Sequence, residues 1–123
     1  MNLEPMMNSK QRAGCAVSAL LGIVLLAGCK TTAEYTAEEA PLWSRPSSTF
    51  EDFSADRKTC ADYVELALYE ESYVSPIRRM SAAERYQEAN WWARNEYISC
   101  MQEKAWEPVP GARIGAPPDI HYP

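Results

Sequence analysis

The chain has 123 residues, with 17 Asp/Glu against 12 Lys/Arg and a net charge of −5. That length holds at most one small domain. The acidic balance repels a phosphate backbone, so the composition argues against a nucleic-acid partner.

The first segment reads as a targeting signal. Lys10 and Arg12 precede the stretch Ala13 to Ala27, in which Ser18 is the one clearly polar side chain. As a helix this run would extend roughly 22 Å, short of the about 30 Å hydrocarbon core that a permanent span must cross. It matches the apolar region of a signal peptide instead.

The run closes on Leu26-Ala27-Gly28-Cys29, an apolar residue and two small residues before a cysteine. This resembles the lipobox of bacterial lipoprotein precursors. The resemblance implies removal of residues 1–28 as a signal peptide, diacylglycerol on the Cys29 thiol and acylation of the new N-terminal amine. Several chains on one residue suit stable anchoring, because a single acyl chain binds a membrane only marginally. Cys15 fits the pattern poorly, since Arg12 stands where the apolar residue belongs. Lys30 rather than aspartate follows Cys29; by analogy with enterobacterial sorting, this implies an outer-membrane destination.

The mature chain then has 95 residues, 16 of them acidic and 10 basic. Residues 29–48 read as a lipidated polar tether in which Pro41 and Pro46 discourage helix. Ser48-Thr49-Phe50-Glu51 has the form of a capping box, with Ser54 a second possible start. A helix from here is expected to run to about Val74, where Ser75-Pro76 breaks it. Ser81-Ala82-Ala83-Glu84 is another capping box, opening a helix to about Trp106 that Glu107-Pro108-Val109-Pro110-Gly111 stops. The 107–123 tail, with five prolines and two glycines, is expected to be irregular. The expected fold is therefore all-α: an antiparallel two-helix hairpin over 49–106, with irregular arms at both ends.

Setting aside Cys15 and Cys29 leaves Cys60 and Cys100, one on each helix and equally far from residue 80 in the turn. At about 100° per residue, the Cys60 face also carries Phe53, Val64 and Ala67, with Phe50 and Leu68 at its edge, and the Cys100 face carries Ala82, Tyr86, Ala89, Ala93 and Tyr97. An exported domain meets oxidising conditions, so a disulfide between the two helices is expected. The stretch Tyr97-Ile98-Ser99-Cys100-Met101-Gln102-Glu103-Lys104-Ala105-Trp106 resembles the Cys-Met-x-x-Lys-Gly-aromatic ending of small Gram-negative lipoproteins built as Cys-paired helical hairpins, mostly without an assigned activity. Ala105 stands where that ending has glycine.

Little in the chain points to catalysis. His121 is the one histidine, close to the chain end, so neither a zinc set nor a histidine-based triad assembles readily. No cofactor is expected and the protein is read as a non-enzyme. Arg57 and Glu71 fall on the Cys60 face and suggest an inter-helix ion pair or polar pocket. Glu70-Glu71 and Arg78-Arg79 suggest pairing across the hairpin tip. Trp91 and Ile98 project opposite Cys100, and Leu66, Tyr69 and Tyr73 away from Cys60. Two helices cannot bury both sides of each other. These residues are expected to be covered either by the protein's own arms (Trp43, or the tail from Ile114 to Tyr122) or by an envelope protein or a second copy. The alternative is a glycan- or ligand-binding module using Trp91, Trp92 and Trp106.

Overall fold

A computed structural model describes residues 30–70, 73–74, 76 and 79–123. The segment 1–28, Cys29, Glu71 and Arg78 lie outside the described residues, and with them the lipobox and the Arg57–Glu71 and tip pairings. The described chain is mostly helical. Helix α1 spans Thr32–Glu39 and runs into a 3-10 turn at Ala40–Leu42, then strand β1 at Trp43–Ser44. The long helices are α2 (Phe50–Leu68) and α3 (Ala82–Glu103), and strand β2 is Glu107–Pro108.

The hairpin is present and stapled. Helices α2 and α3 pack on each other, and Cys60 is bonded to Cys100 with their Cα atoms 5.7 Å apart. The N-terminal arm, however, is not irregular, whereas the tail beyond Pro108 is, with turns but no helix or strand over 109–123. Thr31 caps α1 in a full capping box with Glu34, a Thr-x-x-Glu signal that outweighs the nearby prolines. Pro41 does not oppose it, since proline is accepted at the start of the following 3-10 turn. The two arms also meet. Trp43 pairs with Pro108 and Ser44 with Glu107 in a two-stranded antiparallel ladder, and the Val109 N–H donates to the Leu42 carbonyl at 2.9 Å. The fold is therefore all-α only approximately.

Helix limits differ from the sequence reading in instructive ways. Thr49, not Ser48, caps α2, with Asp52 returning the capping-box bond; the Ser48 hydroxyl donates instead to the Arg45 carbonyl at 2.6 Å. Helix α2 ends at Leu68 rather than Val74, in a tightened turn where the Tyr69 and Glu70 N–H groups reach back three residues. Ser81 and Glu84 cap α3 as expected.

At its far end α3 stops at Glu103 in a Schellman arrangement. The Trp106 N–H donates to Met101 and the Ala105 N–H to Gln102. Ala105 takes the left-handed position, with φ of 73°. This is the place where the hairpin-lipoprotein ending has glycine, and glycine is favoured there because it has no Cβ to clash.

The buried stripe is turned to one side of the disulfide. On α2 it comprises Phe53, Arg57, Cys60, Ala61, Val64 and Leu68, and on α3 Ala89, Ala93, Tyr97 and Met101. Ala82 and Tyr86, expected on the inner face, are exposed, and so is Phe50. The reason is a second layer. Trp43 from the first arm and Trp106, Ile114 and Ile120 from the tail join the same core, so each helix turns its apolar side toward that layer as well as toward its partner.

Two stability experiments follow. Ala105→Gly relieves the left-handed strain and is expected to stabilise by about 1 kcal/mol, read as a raised urea midpoint with unchanged m. Replacing Cys60 and Cys100 together with alanine frees the loop and is expected to cost about 4 kcal/mol. Equal stability of that variant and the wild type under non-reducing conditions would contradict the staple's role.

Candidate functional site

Arg57 organises the interior. It lies in the middle of α2 and is 1 % exposed. No acidic residue stands on the facing stripe of α3, so its counter-charge has to come from outside the hairpin. Both arms supply it. The Arg57 Nε donates to Glu39 Oε1 at 2.9 Å, from the end of α1, and Nη2 donates to Asp119 Oδ1 at 2.9 Å, from the tail. The second Glu39 oxygen accepts from the Trp43 indole at 2.7 Å and from the Tyr97 hydroxyl at 2.5 Å.

Every polar group in this cluster is satisfied, and the charges perturb one another strongly. Burial opposes the charge on Arg57, but the hydrogen bond and charge of Asp119 outweigh it and raise its pKa. Burial likewise raises the Asp119 pKa, and the Arg57 hydrogen bond and charge more than reverse this, leaving it lowered. The Tyr97 hydroxyl is pushed up by burial and then by the neighbouring Glu39 charge, so it stays protonated. A cluster of this kind holds structure. It offers no free base and no exposed proton donor.

A second cluster forms at the neighbouring residue of α2. Asp56 accepts from Arg45 at 3.0 Å and from the Trp106 indole at 2.9 Å. The Arg45 guanidinium stacks 4.5 Å from the centroid of Trp106 and also donates to the Lys104 carbonyl. Further along the tail, Glu65 accepts from both the backbone N–H and ring of His121. Asn90 donates to the Tyr122 hydroxyl, and Arg94 to the Ile114 carbonyl. The lone histidine is thus a tail fastening. Among the described residues no group of His, Cys, Asp and Glu is placed to hold a metal ion.

The residues singled out as a partner surface divide. Ile98 and Tyr73 are half-buried against the core, and Tyr73 packs on Trp92 with ring centroids 4.9 Å apart. Leu66, Tyr69 and Trp91 are 72 %, 51 % and 61 % exposed. They do not make one patch: Tyr69 and Trp91 each lie half a turn from the bonded cysteines, so they point outward from opposite edges of the hairpin. The arms fold onto the hairpin, but the prolines do not cover Trp91. Trp106 is 4 % exposed and committed to Asp56, so it forms no surface platform with Trp91.

Glu39 and Asp119 escaped the sequence reading. Arg57 in an apolar stripe, facing an α3 surface without carboxylates, was the available signal that an arm had to carry the counter-charge. One cleft adjoins this cluster. It has a volume of about 390 Å³ between α1 and the tail, lined by Tyr35, Glu38, Leu42, Ile114, Ala116 and Pro118 among others. Comparison with protein-family models, with curated proteins and with solved structures returned no match.

The lowered Asp119 pKa fixes the sign of an acid response. Stability from this group is present above the ordinary value of 3.8 and is lost as pH falls through the depressed folded-state value. Asp119→Asn is expected to cost on the order of 3 kcal/mol at pH 7, because it leaves buried Arg57 undercompensated, and to flatten the loss between pH 5 and acid. Urea unfolding at several pH values measures both; a variant as stable and as acid-sensitive as the wild type would refute the assignment.

Proposed function

We propose that this chain is the precursor of a bacterial cell-envelope lipoprotein, lipidated on Cys29 and working as a non-enzymatic interaction module. Its anchor is lipid, its location is the outer membrane, and its partner is another envelope protein that docks at Trp91. The lipobox pattern and Lys30 support the anchor and destination. The Cys60–Cys100 disulfide fits an exported, oxidising location. The non-enzymatic reading draws on the buried charges, which saturate one another.

The observation that carries the docking role is the fate of the four tryptophans. Trp43 and Trp106 are buried and hydrogen-bonded to carboxylates, and Trp92 packs on Tyr73. Trp91 is left 61 % exposed on a rigid helix beside half-buried Ile98, although both arms of the protein are already folded in. A large aromatic held outward on a rigid element is a typical anchor of a protein interface.

The experiment is in-cell photocrosslinking from a photoreactive amino acid at position 91. It is expected to capture a discrete envelope protein, and Trp91→Ala is expected to keep the wild-type melting curve while losing co-purification of that protein. Absence of any crosslinked species would sink the docking role. Fatty-acid labelling that survives Cys29→Ser would sink the anchor.

A further inference from the structure

We infer that the face formed by α1 and the 114–118 stretch of the tail lies against the membrane that holds the lipid. This rests on lipidation of Cys29, and the geometry next to that residue then fixes the orientation. Only Lys30 separates Cys29 from Thr31, the N-cap of α1. Two residues reach at most about 7 Å, while the polar layer on each side of a bilayer is roughly 5–7 Å deep. Lipid seated in the bilayer therefore brings the first turn of α1 to headgroup level, with no tether to let the domain stand off.

Lys30 is itself held down. Its ammonium lies 2.9 Å from Glu38 and 5.7 Å from the centre of the Tyr35 ring. These contacts lay the Lys30 side chain along α1 toward the cleft that Tyr35 and Glu38 line. The other walls are apolar at Leu42, Ile114, Ala116 and Pro118, with Glu39, already held by Arg57, the remaining charged side chain. A tyrosine, a lysine and aliphatic side chains in or beside one cleft suit the membrane–water boundary, where amphipathic side chains place their polar ends in the headgroups. Glu34 and Glu38 of α1 outnumber Lys30 at the contact, and the chain as a whole is acidic, so the face favours zwitterionic over anionic lipid.

The test uses the lipidated mature protein in phosphatidylcholine vesicles. A companion variant carries about ten Gly/Ser residues inserted between Cys29 and Lys30, a flexible spacer of about 17 Å. Hydroxyl-radical footprinting read by mass spectrometry is expected to find Tyr35 and Leu42 modified several-fold less in the native-length protein than in the spacer variant, with Trp91 modified equally in both. Equal modification of Tyr35 in the two proteins, with lipid present on the N-terminal peptide, overturns the orientation and leaves the lipoprotein reading standing. An N-terminal peptide without lipid overturns both.

Discussion

A single buried positive charge dictates the arrangement of this small protein. Arg57 projects from the middle of α2 into an apolar interior, and a charge there is tolerable only when paired and hydrogen-bonded. The facing stripe of α3 has no carboxylate to offer. Glu39 from one arm and Asp119 from the other must therefore both be in place, and each comes with its neighbours. Glu39 positions the Trp43 indole and the Tyr97 hydroxyl; Asp119 draws in Pro117 and Ile120, which are buried beside it. The ion cluster thus decides where the arms go, and apolar burial supplies much of the stabilisation once they arrive.

The disulfide and the Arg57 cluster divide the work. The staple fixes the register of α2 against α3 and limits the unfolded chain. The cluster fixes the second layer on the hairpin, which a disulfide between two helices cannot do. One residue earlier on α2, Asp56 repeats the logic in smaller form, joining Arg45 of the first arm to the Trp106 indole. In both places a carboxylate accepts from an indole N–H, so the large aromatic surface is buried without leaving a donor unsatisfied.

What the second layer leaves uncovered bears on function. It packs over one side of the hairpin, so Trp91 and Leu66 stay outside although apolar surface is scarce in a chain this short. In sequence, the N-cap of α1 follows Cys29 by two residues. Under the lipoprotein reading, one surface is committed to the membrane and the edge carrying Trp91 stays open to a partner.

By itself the sequence determined the parts governed by local rules. Capping boxes located the start of α3 and, within one residue, of α2, and the helical period paired Cys60 with Cys100. The left-handed backbone at Ala105 was not read from the sequence, because alanine carries no signal for it. Helix α1 is equally legible in Thr31 and Glu34, although Pro41 and Pro46 point against a helix in that segment. The tertiary structure alone decided that Arg57 would be neutralised by Glu39 and Asp119, eighteen and sixty-two residues away, and that the arms would cover one side of the hairpin and spare Trp91. Those outcomes depend on which distant groups satisfy a buried charge, and neither periodicity nor capping carries that information.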